Sequence, residues 1–139
     1  MKSIMTLFAV LLCAACQPAA LPHPVIVAHV DAFNAKDIPA MSAVEHPEVE
    51  WFSVEGDTIT VEVKGRAQLA DMMTDYLEAN PTVTGSLRDW SINGDFISVT
   101  ETATWQTADG TFQSQSALTV YEMDGDLIRR VWYYPAVRP

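Results

Sequence analysis

Residues 83–134 read VTGSLRDWSINGDFISVTETATWQTADGTFQSQSALTVYEMDGDLIRRVWYY. Three turn dipeptides divide this stretch: Asn93-Gly94, Asp109-Gly110 and Asp124-Gly125. Asn-Gly and Asp-Gly between β-rich segments are strong hairpin signals, because both central residues of a type I′ turn need a positive φ. Three such turns in succession predict a four-stranded antiparallel meander.

Two helices are predicted near the start of the preceding half. Apolar residues spaced four and three apart predict a helix over residues 25–35. Asp37 is a suitable N-cap for a short second helix through Val44, because its side chain can accept a hydrogen bond from an early N–H group. The dipeptide His46-Pro47 is expected to form the loop that follows.

A hairpin and the longest helix complete this half of the chain. Segments 49–54 and 58–63 flank Gly56-Asp57 and predict a hairpin, and the second of them is rich in β-branched residues. After Gly65, apolar residues at helical spacing predict a long helix that ends at Asn80-Pro81. The predicted order is therefore α-α-β-β-α-β-β-β-β, which is an α+β fold.

The chain begins with MKSIMTLFAVLLCAAC, the pattern of a secretory signal: a basic residue, a short apolar run and small residues. The apolar run is shorter than the roughly 20 residues that span a bilayer. Ala14-Ala15-Cys16 resembles the bacterial lipobox, in which a Cys after small residues becomes the lipid-modified N-terminus. The expected organisation is a lipoprotein signal peptide at 1–15, a linker at 16–24 and a single domain at 25–139.

The lipobox departs from its usual pattern at Cys13, where Leu is common, so plain secretion is the alternative. Gln17 follows the Cys, and no Asp is present there to retain a lipoprotein at the inner membrane. The expected location is therefore the outer membrane, facing the periplasm, with attachment through lipid on Cys16. Residues 17–139 contain no cysteine, so the domain uses no disulfide.

The charge of the chain excludes one class of partner. The formal net charge is −10, and residues 1–15 contain one Lys and no acidic residue, so removing them leaves about −11. The eight basic residues are scattered along the chain. Nucleic acids need Lys and Arg to replace their counterions, so we expect no nucleic-acid partner.

Four short motifs follow one another along the domain: Phe33-Asn34-Ala35-Lys36-Asp37-Ile38, Gly65-Arg66 with Leu69, Asp124-Gly125 with Ile128, and Trp132-Tyr133-Tyr134. With the element order, they resemble the SnoaL-like branch of the nuclear-transport-factor-two-like superfamily over about residues 25–135. The resemblance implies a cone-shaped, curved antiparallel sheet packed on three helices from the N-terminal half, with a pocket at the open end. It also implies a homodimer that pairs through the outer sheet face.

The resemblance implies catalytic positions that can be checked. Ketosteroid-isomerase-like members keep a general-base Asp where Trp51 stands, an oxyanion-donating Tyr where His29 stands, and a second Asp near Ala117 or Leu118. Limonene-epoxide-hydrolase-like members keep an Arg and two Asp residues where Thr102, Thr104 and Trp132 stand. SnoaL-type cyclases use an Asp near Pro135. No set is complete, so whether the protein is an enzyme stays open, and we lean toward a non-catalytic role.

Two ionisable side chains, His29 and Glu101, are the candidate catalytic residues. Period-two alternation puts Glu101 on one face with Ile97 and Val99, where a carboxylate would have a raised pKa and could act as a general acid or base. Alignment with the family instead turns Glu101 outward, toward solvent or an interface partner. His29 borders the buried stripe of the first helix, and a partly buried His bonded to the backbone is the simpler interpretation.

Aromatic side chains suggest what the pocket binds. Trp51, Tyr76, Trp105 and Tyr133 are the candidate ligand-binding residues, because such surfaces suit a flat, mostly apolar molecule. The chain has no Gly-rich phosphate loop, and its three His residues are not spaced as metal ligands, so no cofactor or metal is expected. The leading hypothesis is an exported domain that binds a small apolar molecule. The alternatives are an isomerase, cyclase or hydrolase using His29 and Glu101, or a module whose outer sheet face binds an envelope protein.

Overall fold

The computed structural model describes residues 21–138, so the predicted signal peptide and Cys16 lie outside the described residues. The element order is the predicted one, and the α+β fold class is confirmed. The elements are α1 (Pro24–Ala35), α2 (Ile38–Ala43), β1 (Glu45–Glu55), β2 (Thr58–Lys64), α3 (Arg66–Ala79), β3 (Thr84–Asn93), β4 (Phe96–Gln106), β5 (Phe112–Asp124) and β6 (Leu127–Tyr133).

The six strands form one curved, unclosed sheet in the order β2-β1-β6-β5-β4-β3. The meander from β3 to β6 is antiparallel, as predicted. The β1–β6 pair is parallel, so the sheet is mixed rather than antiparallel throughout. This pairing joins strands that are far apart in the sequence, so no local turn signal could predict it.

Strand β1 begins at Glu45, four residues before the predicted strand, so His46 and Pro47 belong to a strand and not to a loop. The pairing of β1 with β6 is irregular between Glu45 and Glu50. Proline has no N–H to donate to a ladder, and an irregular register of this kind tolerates it. Pro47 resembled a strand breaker, so the predicted strand began too late and did not include Glu45.

The β3–β4 turn differs in type from the expectation. Asn93 pairs with Phe96, so the turn residues are Gly94 and Asp95. Of these two only the glycine has a positive φ, 60°. A type I′ turn would require a positive φ at both residues, whereas glycine at the first turn position alone is the pattern of a type II′ turn. The hairpin is where it was predicted, but Gly94 is the first of the two central turn residues and not the second.

The three helices cover one face of the sheet, and the core lies between the two layers. The core draws buried apolar residues from all three helices and from every strand except β3. The largest fully buried apolar side chains are Tyr121, Ile26, Met41, Leu69, Ile97 and Ile128. Alternate residues of each strand point to opposite faces of the sheet, so those that meet the helices alternate with those that face outward.

The motif at the end of α1 fastens the helix to β3. Asn34 donates to the Gly85 oxygen at 2.9 Å and accepts from the Gly85 N–H at 2.7 Å. A Cβ at Gly85 would lie 3.3 Å from Val30 Cγ1, so the small residue allows the close approach. Lys36 ends α1 in a left-handed conformation, and its ammonium group donates to the Val83 oxygen. These contacts hold α1 at a fixed position against β3, on the face of the sheet that the helices cover.

Within residues 21–138, none of the helices combines the length and the apolar character needed to cross a membrane.

Candidate functional site

A cavity of about 320 Å³ lies between the helices and the inner face of the sheet. Most of its lining is apolar or aromatic, and its polar groups are few. The side chains that matter for its chemistry come from α1, β1, β4, β5 and β6: His29, Trp51, Glu101, Tyr121 and Tyr133.

His29 projects from α1 into a buried contact with a carboxylate. Its Nε2 lies 3.0 Å from Oε1 of Glu45, and the two residues are only 4% and 1% exposed. The partner of His29 is thus a side chain on β1 and not the backbone group that the sequence suggested. A buried His–carboxylate pair of this kind orients the ring and fixes which nitrogen carries the proton.

Glu45 is itself held in place at the start of β1. The guanidinium group of Arg66, the first residue of α3, donates to the main-chain oxygen of Glu45. The second carboxylate oxygen, Oε2, is buried and has no hydrogen-bond partner among the described residues. Buried polar atoms are almost always paired, so this oxygen is an acceptor with capacity for one more hydrogen bond.

Glu101 faces the cavity from the middle of β4. The sequence left open whether this side chain points toward the helices or outward, and in the structure it points toward the helices. The inward face of β4 carries Ile97, Val99 and Glu101, the face favoured by the apolar alternation. The hydroxyl of Tyr121 on the neighbouring strand donates to Glu101 Oε1. Burial raises the pKa of the Glu101 carboxyl, although the Tyr121 hydrogen bond and a charge on His29 act in the opposite direction.

Burial also raises the pKa of two tyrosines beside Glu101. The pKa values of Tyr121 and Tyr133 lie well above the ordinary value, first because of burial and then because of the Glu101 charge. Both phenols therefore keep their protons and remain hydrogen-bond donors at neutral pH. The inner end of the cavity combines one carboxyl group with two phenols.

Three of the four predicted ligand-binding residues line this cavity. Trp51 contributes to the core and to the cavity wall, and it packs against Tyr133 with ring centroids 5.3 Å apart. Tyr76 lines the more open side, is 40% exposed and stacks on Phe33. Trp105 is not part of the lining, because it stands next to the last residue of β4, beyond the part of the strand that the cavity reaches.

The two candidate catalytic residues share the cavity without forming a hydrogen bond to each other. His29 is bonded to Glu45, and Glu101 is bonded to Tyr121. Sequence reasoning missed both partners. Tyr121 could have been found, because it alternates with the inward-facing Thr119 and Met123 on β5. Glu45 could not, because it precedes His46-Pro47, which resembled a loop.

Residues 21–138 contain no group of three or more His, Asp or Glu side chains arranged to hold a metal ion. The polar groups in and beside the cavity include two carboxyls, one imidazole and two phenols. The chemistry that this set supports is hydrogen bonding and proton transfer.

Comparison with known families identifies the domain. The family model of the SnoaL-like domain matches residues 26–131, so the chain belongs to the SnoaL-like family. No curated protein matches the chain significantly.

Solved structures agree on the fold. IdmH from Streptomyces antibioticus, a proposed polyketide cyclase, is 15% identical with a TM-score of 0.68, over 81% of this chain and 88% of that chain. An uncharacterised protein from Novosphingobium aromaticivorans is 20% identical with a TM-score of 0.67, over 78% and 93%. TerC, crystallised with polyporic acid, is 19% identical with a TM-score of 0.64, over 83% and 88%. At such low identities the similarity is one of fold.

Proposed function

We propose that this domain binds a small, flat and mostly apolar molecule in the cavity between its helices and its sheet. The observation that carries the proposal is the cavity itself: about 320 Å³, walled largely by aromatic and aliphatic side chains, with few polar groups at its inner end. Ligand pockets are typically about 300–1,000 Å³ and have this combination of lining groups.

The size of the cavity, about 320 Å³, suits a compact ligand such as one with two fused rings. Trp51 and Tyr133 offer ring surfaces on one side, and Phe33 with Tyr76 offers a second stacked pair near the opening. Aromatic groups prefer offset-stacked or edge-to-face contacts, which a planar ligand satisfies on both sides. The co-crystallisation of TerC with polyporic acid supports the binding of a small molecule in this fold.

Two adjacent residues on β5 provide a test with a matched control. Ala117 lines the cavity, whereas Leu118 is 47% exposed on the opposite face of the same strand. Ala117→Phe fills the cavity, so we expect it to weaken binding of 2-methylnaphthalene strongly, while Leu118→Phe leaves binding unchanged. Binding is measured by ¹H–¹⁵N NMR titration of the folded domain. Equal binding by both variants, or no binding to the wild type, would contradict the proposal.

We further propose that Cys16 carries lipid and attaches the domain to the outer membrane, facing the periplasm. The support comes from the sequence, from the lipobox-like Ala14-Ala15-Cys16 and the Gln that follows it.

A homodimer through the outer sheet face is proposed on the family resemblance. Exposed apolar side chains on that face, including Phe96 at 49% and Leu118 at 47%, support such a contact.

A further inference from the structure

We infer that Glu45 is a positioning residue that holds His29 with a hydrogen-bond acceptor toward the cavity, so that the site selects apolar ligands carrying a hydroxyl group. The inference rests on the proposed ligand-binding function and names the class of ligand: a compact aromatic molecule with an O–H group. Glu45 acts through His29 and does not itself need to touch the ligand.

The first step of the argument is the tautomer of His29. An ionised carboxylate can only accept hydrogen bonds, so the ring nitrogen that faces Glu45 must carry the proton. That nitrogen is Nε2, at 3.0 Å from Glu45 Oε1. A neutral imidazole with a proton on Nε2 has its lone pair on Nδ1. The guanidinium group of Arg66 donates to the main-chain oxygen of Glu45, which helps to fix the position of this residue.

The second step is the surroundings of Nδ1. His29 lines the cavity, and its Nδ1 makes no hydrogen bond with any described residue. The neighbouring lining from the helices is apolar, with Val30, Phe33 and Met41. On the cavity side, Glu101, Tyr121 and Tyr133 complete the polar groups near His29, and Glu101 is bonded to Tyr121. An acceptor on His29 without a partner favours a ligand that donates a hydrogen bond, because an unpaired polar group loses its contact with water on binding. A hydroxyl group meets this requirement and a hydrocarbon does not.

The third step is the rigidity of the pair. His29 lies in the second turn of α1, and Glu45 lies at the first position of β1, so each side chain is fixed to a different packed element. Val44 accepts a hydrogen bond from the Ile128 N–H at 2.9 Å, which anchors the chain just before Glu45 to β6. The carboxylate therefore holds the ring in one orientation before any ligand arrives, which lowers the entropic cost of binding.

The tautomer can be measured without a ligand. Imidazole ¹⁵N chemical shifts in the wild type are expected to show the proton of His29 on Nε2 and a bare Nδ1. His23 and His46 serve as internal references. In Glu45→Gln, an amide NH₂ can donate to Nε2, so the proton moves at least partly to Nδ1. A wild-type ring with its proton on Nδ1, or one still doubly protonated, would overturn the inference.

Ligand selectivity supplies an independent readout. The wild type is expected to bind 2-naphthol about tenfold more tightly than 2-methylnaphthalene, the effect of one hydrogen bond. Glu45→Gln should lose most of this preference while it keeps its affinity for 2-methylnaphthalene. Glu48→Gln, an exposed residue of the same strand, is the control and should behave like the wild type. Equal affinities for the two compounds in the wild type would overturn the inference alone, whereas binding of neither compound would contradict the proposed function.

Discussion

Glu101 shows how one residue can take its properties from three elements. It lies on β4, accepts a hydrogen bond from Tyr121 on β5 and shares its cavity with His29 of α1. Burial disfavours its charged form, so the carboxyl stays protonated to a higher pH than an exposed glutamate. In its protonated form the group is a hydrogen-bond donor at the inner end of the cavity.

The raised pKa of Glu101 makes stability depend on pH. The unfolded chain releases this proton near the reference value of about 4.3. The folded chain holds the proton to a higher pH, so the native state binds more protons in that interval and its stability falls as pH rises. Above the folded-state pKa the contribution is fully lost. Glu101→Gln cannot ionise, so its stability relative to the wild type should increase as pH rises through this interval.

Urea unfolding at a series of pH values measures this difference. The amide oxygen of the substituted side chain can still accept from Tyr121, which keeps the packing comparable. Glu78→Gln, on the exposed side of α3, is the control and should follow the wild type at every pH. Parallel profiles for the wild type and Glu101→Gln would show that burial does not disfavour the charged carboxyl.

At the residue scale, the sequence predicted the direction of a side chain better than the residue to which it bonds. Period-two alternation identified Glu101 as inward-facing, and helical spacing placed His29 beside the buried stripe. The partners follow from which strands become neighbours. Tyr121 reaches Glu101 across the β4–β5 pair, and Glu45 reaches His29 only because β1 begins before Pro47.

At the scale of elements, local signals predicted the order and type of every helix and strand from α1 to β6. Each of these signals acts over a few residues: a cap at Asp37, a turn at Gly125, a helical stripe in α1. The β1–β6 pairing has no such signal, because Trp51 and Val131 pair across 80 residues of sequence. The mixed sheet and the position of the cavity depend on this long-range contact and could not be predicted locally.

The elements also explain why the cavity is not filled. Helix α1 is fastened at its end to β3 by Asn34, and α3 packs against β1 through its buried stripe. Between these two attachments, the inner face of β4 and β5 presents the small residues Ala103 and Ala117. Large side chains at these positions would close the space. The cavity is therefore a consequence of the helix attachments and of small residues in the middle strands.

At the scale of the whole molecule, the sequence outside residues 21–138 carries the prediction of membrane attachment. Cys16→Ser in the full chain, expressed in a bacterium with an outer membrane, is expected to release the domain from the membrane fraction, because the lipid is the only anchor proposed. Fractionation followed by mass spectrometry of the N-terminus measures this. Cys13→Ser is the control and should remain membrane-bound. A wild type recovered as a soluble, unmodified protein would contradict the prediction.

The acidic character of the molecule bears on which ligands reach the cavity. With a formal net charge of −10, the surface repels anions, and two carboxyls lie close to the cavity. A neutral ligand avoids this repulsion, and an aromatic hydroxyl compound is neutral below its own pKa. Charge at the scale of the molecule therefore favours the same class of ligand as the hydrogen-bonding groups at the scale of the residue.

The measurement that tests the central claim most directly is the set of intermolecular nuclear Overhauser effects between 2-methylnaphthalene and the domain. If the cavity is the binding site, ring protons of the ligand should give cross-peaks to Met41, Met73 and Trp51, which line it. Cross-peaks to Phe52 and Trp132, which stack on each other outside the cavity, would instead place the ligand elsewhere and contradict the account.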